Sequence, residues 1–297
     1  MLQRWILVAC SLSFILSWSL LAASEKEIVF EVDNALGVAN ALKRIGFYDL
    51  KKHPERLRAV PRTQIWRLPS KTDDLWREDI GLRKTLFFRL ALSATLQVNE
   101  QIMAKRKRLL GLSVQSLDAA DRSWVSSMMA RYRVAKAEAP PTPKGLRELI
   151  DRVDTLPPSL VLAQGAIESG WAQSRFAREG QAVFGQWTTS RRGIKALRSK
   201  VRVAAFKNPR ASLVAYMLNL NSHAAYAGFR KARAELRRKG KPLNGYFLAG
   251  YLRKYAETGK AYVKLVRTMI RRDDLTRFDS AKLRPGPIII FRKIEKN

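Results

Sequence analysis

Between Ala166 and Gly180 the chain reads AIESGWAQSRFAREG, and Glu168 stands there among small and apolar neighbours. On a helix, residues three, four and seven apart share a face, so Glu168 lies with Val161, Gln164, Gly165, Trp171 and Ala172. A carboxyl held against apolar and aromatic surface is desolvated, which favours its neutral form and raises its pKa. Such a group can deliver a proton near neutral pH, the requirement for a general acid at a glycosidic oxygen. Gly165 and Gly170 would each cost a helix interior about 1 kcal/mol relative to alanine. The pair predicts that something approaches this helix closely. The same spacing also accommodates a glutamate that pairs with Arg175 and merely decorates the helix.

Other chemistries have little to work with. The single cysteine, Cys10, lies in the apolar leader, and the two histidines, His53 and His223, are far apart with no H-E-x-x-H pattern around either. Thiolate nucleophiles, disulfides and a catalytic zinc are therefore not expected, and neither a metal nor a cofactor is predicted.

The elements that must position Glu168 are mostly helical. Glu27 to Val32 alternates like a short strand, and LPSKTDD offers Asp73 or Asp74 as a helix cap. Leu75 to Leu110 reads as one helix, with Leu82, Leu86, Leu90 and Ala94 on a broad apolar stripe beside Phe87 and Ala91. Its core, LFFRLALSATLQV, is interrupted by Arg89 and is too short to span a bilayer. The helix ends in KRKRLLG, a solvated helix end or a binding patch. Asp118 or Asp121 opens a further helix carrying Trp124, Met128, Tyr132 and Ala135. EAPPTPKG, with three prolines, marks a linker. Beyond it, Leu160, Ala163, Ile167 and Trp171 form one stripe. Asn208 and Pro209 start a helix that turns Leu213, Tyr216, Met217 and Leu220 inward. A last helix carries Tyr262, Leu265, Val266, Met269 and Ile270. Apart from RPGPIIIFRKI near the end, strands are scarce. The class is mainly α, and no internal repeat is visible.

The stretch AIESGWAQSRFAREGQAVFGQW resembles the signature of the bacterial Glucosaminidase family (glycoside hydrolase family 73, mannosyl-glycoprotein endo-β-N-acetylglucosaminidase-like), an E-S-x-W-G-x-S helix followed by N-L-F-G. One subgroup is closer still, with NLFGQW where this chain has AVFGQW. NLNSHAAYAGFRKARAELRRKGKPL, YAETGKAYVKLVRTMIRRDDL and LRKTLFFRLALSATLQVNEQI also have counterparts in it, so the resemblance covers about residues 65 to 275. It implies a lysozyme-like catalytic domain with a small hairpin lobe, preceded by a helical N-terminal domain. The segmentation expected is a signal peptide over 1–24, the N-terminal domain over 25–138, a linker over 139–145, the catalytic domain over 146–276 and a tail over 277–297.

By that resemblance Glu168 protonates the leaving oxygen of a β-1,4 bond in peptidoglycan, and Tyr262 assists at the acetamido side of the substrate. Trp171, Phe184, Gly185, Gln186, Trp187 and Tyr255 would line the sugar groove. Thr258 of the family's T-D-P-x-Y-A stretch is retained, with GK in place of DP before Tyr262. Glycosidases usually employ two carboxylates, and many family members carry the second in the hairpin lobe. From Gln181 to Ala234 this chain has no Asp or Glu. Either the substrate's own acetamido oxygen attacks the anomeric carbon, or Glu257, Glu235 or Glu179 approaches in the fold, with Glu257 the best placed.

The first residues, MLQRWILVACSLSFILSWSLLAASEKE, follow the plan of a secretory signal peptide, with an uncleaved anchor as the alternative. An exported, periplasmic or envelope-associated protein is expected. The 297 residues hold 56 Lys and Arg against 25 Asp and Glu, a net charge of +31. An exported chain meets little nucleic acid, so the partners that suit this charge are peptidoglycan glycan strands with their peptide carboxylates and an anionic membrane surface. Arg191, Arg192, Lys195, Arg198, Lys200, Arg202 and Lys207 crowd the lobe, as a groove rim or as a solvated surface. Two readings compete with the hydrolase: a lytic transglycosylase of the same fold, and a non-catalytic module that binds wall polymer or nucleic acid.

Overall fold

The computed structural model describes residues 27–48, 53–65, 79–136, 139–191, 193–195 and 202–294. The leader, the candidate caps Asp73 and Asp74, and the lobe cations Arg192, Arg198 and Lys200 lie outside the described residues.

Short polar side chains open most of the helices by accepting a backbone N–H that the helix cannot satisfy. Strand β1 (Glu27–Val32) leads to α1 (Ala35–Arg44), capped by Asn34. Strand β2 (Thr63–Ile65) precedes α2 (Ile80–Leu110), capped by Asp79. Asp118 caps α3 (Ala119–Arg131) and Thr142 caps α4 (Pro143–Arg152). Helix α5 (Pro158–Ser169) starts on prolines, and Ser174 caps α6 (Arg175–Gly180). Three short strands follow, β3 (Trp187–Thr188), β4 (Ile194–Lys195) and β5 (Arg202–Val203). Asn208 caps α7 (Pro209–Ser222); α8 (Ala227–Arg238), α9 (Gly245–Ala249) and α10 (Lys260–Arg272) complete the helices, and β6 (Ile288–Lys293) follows.

Helix α5 is the axis of the part of the chain that follows the proline segment. Every residue from Pro158 to Ala166 is buried, against α2, α9, α10 and a 3-10 turn at Leu275–Ser280. Helix α2 is covered on more than one side, which explains why its buried set runs through Leu86, Phe87, Phe88, Leu90, Leu92 and Leu96 and not along one stripe alone. Its polar residues tie it to the chain on both flanks. The Ser93 hydroxyl accepts the Thr63 N–H at 2.8 Å and donates to the Pro61 carbonyl at 2.6 Å. The Asn99 side chain donates to the Leu156 carbonyl at 2.8 Å and accepts its N–H at 3.1 Å, just ahead of α5. Arg89, which interrupts the apolar run, is buried and donates to the Phe47 carbonyl at 2.6 Å. At the basic end of α2 two arginines are engaged and the lysines are exposed: Arg106 donates to the Ile150 carbonyl, and Arg108 pairs with Asp121 at 2.7 Å and stacks on Trp124.

Two small sheets flank the helices. In one, β6 lies between β1 and β2, parallel to both, with Glu27 opposite Ile288 and Thr63 opposite Ile289. In the other, β5 lies between β3 and β4 and is antiparallel to both, forming the hairpin lobe.

Several elements differ from the sequence reading, each for a packing reason. The N-terminal region is not purely helical, because its sheet takes its middle strand from Ile288–Lys293 inside the stretch set apart as a tail. The proline segment contains the start of α4, since Pro143 suits a first helical turn and Thr142 caps it. One apolar core runs from Val38 and Leu42 through α2 and α5 to Phe291, so α2 packs as one unit with the helices that follow the proline segment. Helix α3 stops at Arg131, one turn short of Ala135. On α10, Leu265 is 49% exposed, because the buried stripe runs through Tyr262, Val263, Val266, Met269 and Ile270, to one side of it.

Candidate active site

Glu168 occupies the last turn of α5, and the backbone after it decides where it points. Gly170 takes the left-handed conformation at φ +54° and ends the helix; Trp171 and Ala172 follow at φ +60° and +65°. Left-handed backbone at two non-glycine residues is costly and needs surroundings that enforce it. Here Trp171 is held edge-on against Phe87 and Phe88, at ring-centroid distances of 5.7 and 5.1 Å, with Lys84 over its ring. The Ser169 hydroxyl accepts the Ala172 N–H at 2.8 Å. The helix therefore ends before Trp171, which turns back onto α2 and does not share the helical face of Glu168.

Gly165 is approached closely, as expected, whereas Gly170 has a different role. Gly170 is the left-handed cap and not an interior residue. At Gly165, a Cβ would stand 3.3 Å from Phe87 and 3.4 Å from Phe184, so the missing side chain admits two rings.

Glu168 is partly buried, and burial pushes its pKa above the usual carboxylate range, while a hydrogen bond from Tyr262 pulls the other way. The Tyr262 hydroxyl, brought in by α10, donates to Oε1 at 2.6 Å. It accepts in turn from Gln164 Nε2 at 2.8 Å, and Gln164 Oε1 accepts from the Tyr216 hydroxyl of α7 at 2.6 Å. Burial is also the main cause that raises the Tyr262 and Tyr216 pKa values, so both stay neutral donors. Tyr255 lies parallel to Tyr262 at 5.3 Å and donates to the Phe184 carbonyl at 3.1 Å. Phe184 is stacked on Tyr216 at 4.0 Å.

Beyond Phe184, Gly185 has φ +56°, and a Cβ there would stand 3.2 Å from Glu168 Oε2. Glycine satisfies both demands at once, the backbone conformation and the close approach. Gln186 is partly buried, with its backbone carbonyl accepting the Ala204 N–H at 2.7 Å. Trp187, on β3, is 68% exposed.

Of the residues singled out by sequence, Tyr262 and Gly185 are thus brought to the carboxyl. Phe184 and Tyr255 frame it from behind, Trp171 faces α2, and Trp187 stands on the lobe surface. Of the three candidate second carboxylates, Glu179 pairs with Arg175 at 3.3 Å, Glu235 pairs with Lys239 at 3.1 Å and with Arg238, and Glu257 is exposed. None is among the groups that shift Glu168. Arg175 also donates to the Lys195 carbonyl at 2.6 Å, so it is not the partner of Glu168. Among the described residues, no group of three or more His, Cys, Asp or Glu is placed to hold a metal ion.

Three members of this arrangement escaped the sequence reading as site residues. Gln164 and Tyr216 were legible as a shared helix face and an inward position, without their connection. Asp279 gave no signal at all. It reaches the first turn of α5 from the 3-10 turn, accepting the Ser159 N–H at 2.8 Å, the Ser159 hydroxyl at 2.8 Å and the Gly245 N–H at 3.1 Å. Burial, outweighing those bonds, pushes its pKa up to about 6.

A central buried helix, a carboxyl on its last turn and a small antiparallel lobe beside it make this a mainly α, lysozyme-like domain with a hairpin lobe. Residues 146–275 of the chain match the family model Glucosaminidase, mannosyl-glycoprotein endo-beta-N-acetylglucosaminidase. Over 181 residues, 61% of this chain, it is 32% identical to Protein bax of Escherichia coli (strain K12). The chain spans 66% of that relative's length, just under two thirds. No solved structure matches the chain.

Proposed function

We propose that the domain cleaves β-1,4 glycosidic bonds of peptidoglycan in the manner of an endo-β-N-acetylglucosaminidase, with Glu168 as general acid. The observation that carries this reading is a partly buried carboxyl whose pKa is raised by burial and whose hydrogen-bond partner is a neutral tyrosine, not a cation. A carboxyl so placed keeps its proton into the range where a leaving oxygen must be protonated.

The reaction proceeds with help from the substrate. The 2-acetamido oxygen attacks the anomeric carbon as the leaving oxygen takes the Glu168 proton. The resulting carboxylate then takes a proton from the water that opens the ring so formed. The engagement of Glu179 and Glu235 with cations, and the exposure of Glu257, support one enzymatic carboxyl over two. Tyr262, held on Glu168 in the free protein, positions the acid and orients the acetamido group.

The leader supports export to the cell envelope, and the excess of 56 cationic over 25 acidic residues supports attraction to anionic wall polymer or membrane surface. Zymography on embedded cell wall tests the reading, with Glu168→Gln as control. A clearing band that the variant lacks is expected, with products heavier by one water per cut. Products lacking that water would make the enzyme a lytic transglycosylase, and no clearing from folded protein would leave a binding module.

A further inference from the structure

Four side chains from three helices form one buried line of hydrogen bonds that ends on the candidate acid. Gln164 and Tyr216 are fully buried and Tyr262 is 5% exposed. In the structure every bond of this line has one direction. A glutamine amide has one accepting and one donating end, and a tyrosine hydroxyl has one hydrogen. The Tyr216 hydrogen lies on Gln164 Oε1, which leaves Gln164 Nε2 to face Tyr262. That amide hydrogen occupies the Tyr262 oxygen, so the single Tyr262 hydrogen goes to Glu168 Oε1. An oxygen that accepts this bond is not the one that carries the acid proton. The other carboxyl oxygen, Oε2, faces the backbone of Gly185, where a Cβ would come within 3.2 Å.

We infer that Gln164 is a positioning residue, locked in one amide orientation by Tyr216, and that through Tyr262 it assigns the transferable proton of Glu168 to Oε2, on the Gly185 side. This deepens the proposed function, and rests on Glu168 being its acid. Tyr216 cannot be replaced here by any side chain that merely fills space, because without its hydrogen the amide has no preferred orientation. Half-turned, the amide would present its oxygen to Tyr262 and draw that hydroxyl away from Glu168.

The other groups around the carboxyl do not supply this selection. The Glu168 charge helps to raise the Tyr255 and Tyr226 pKa values, and the Tyr255 hydroxyl is spent on the Phe184 carbonyl. Lys84 of α2 is taken up over the Trp171 ring, and Asp279 is bound at the opposite end of α5.

The test reads the Glu168 carboxyl directly, by carbon-13 NMR titration of protein labelled at the glutamate carboxyl carbon. The Glu168 signal is assigned by its loss in Glu168→Gln. Tyr216→Phe keeps the ring stacked on Phe184 and removes only the lock; the Glu168 midpoint should shift upward, because Tyr262 no longer donates to it fully. Gln164→Glu offers acceptors to both tyrosines and should shift the midpoint further upward, whereas Gln164→Leu, which leaves Glu168 as the best acceptor for Tyr262, should shift it least. In wall digestion the basic limb of the pH profile should move the same way in the same order, with kcat at the optimum reduced on the order of tenfold for Gln164→Glu. A Glu168 midpoint unmoved in both Tyr216→Phe and Gln164→Glu, with near-ultraviolet circular dichroism showing both folded, would overturn the inference. The NMR readout does not need turnover, so a protein that digests no wall refutes the proposed function while the ordered shifts still decide the hydrogen-bond line.

Discussion

Asp279 holds the helix that carries Glu168 by its far end: its carboxyl accepts both the N–H and the hydroxyl of Ser159, in the first turn of α5, at 2.8 Å each. Helix α5 has Pro157 at its cap position and no side-chain cap of its own. The cap comes from a residue 120 positions later, beyond the family match that ends at residue 275. The same carboxyl accepts the Gly245 N–H in the first turn of α9, beside the Asn244 cap of that helix.

Asp279→Ala should therefore destabilise the fold by about 2 kcal/mol, at the upper end for a lost helix cap, measured by urea unfolding. The pH dependence has a definite sign. The folded pKa, about 6, lies above the unfolded one, so the proton-linked stability is complete below about pH 4 and is lost as pH rises through 6. Asp279→Asn should abolish that component and flatten the stability curve between about pH 4 and 6 relative to wild type.

Asp154 titrates in the opposite direction. Burial disfavours its charge, but Arg233 and Arg237 outweigh burial and hold its pKa below the usual range. Arg237 donates to it at 2.9 and 3.1 Å, and the fully buried Arg233 lies at 3.7 Å. The stability it contributes is present above the unfolded pKa, near 3.9, and disappears as pH falls through the lower folded value. Asp154→Ala would strand Arg233 and should cost about 3–5 kcal/mol at pH 7, read as a fall in the urea midpoint.

Glu168→Gln should separate stability from activity. The raised pKa means that ionised Glu168 opposes folding at neutral pH. Removing the charge should stabilise the fold by about 1 kcal/mol at pH 7, the usual gain from relieving a functional site, with the advantage vanishing at acid pH. Differential scanning calorimetry at both pH values, beside wall-digestion assays in which the variant is inactive, checks the pair.

Gly185→Ala places a methyl group 3.2 Å from Glu168 Oε2 and a side chain on left-handed backbone. The conformational cost is about 1 kcal/mol, a modest loss in thermal midpoint. If Glu168 is the acid, the effect on turnover should be larger, a drop in kcat of at least about tenfold, because the methyl group crowds the Oε2 oxygen. Steady-state kinetics on solubilised glycan fragments separates the two effects.

Salt offers a check that involves no substitution. If the lobe cations draw the protein to anionic wall polymer, sedimentation with purified sacculi should weaken several-fold between about 50 mM and 500 mM salt. Binding that ignores salt would leave those cations as ordinary solvated surface.

What the sequence determined by itself was local. Helix caps such as Asn208 and Asp118, proline starts, and the inward positions Leu213, Tyr216, Met217 and Leu220 follow from neighbours a few residues apart, and the structure places them as read. The candidacy of Glu168 was legible for the same reason: one acid amid apolar and small residues is a local anomaly. The end of α5 was not, because the left-handed turn through Trp171 depends also on rings of α2 about 80 positions earlier. The strand order, with Ile288–Lys293 between β1 and β2, depends likewise on pairing between the two ends of the described chain. Tertiary structure alone decided that Tyr262, Gln164 and Tyr216 form one line onto Glu168 and that Asp279 caps its helix. Hydrogen bonds between distant segments leave no periodicity along the chain, since the free energy that selects them is burial and bond geometry in the folded state.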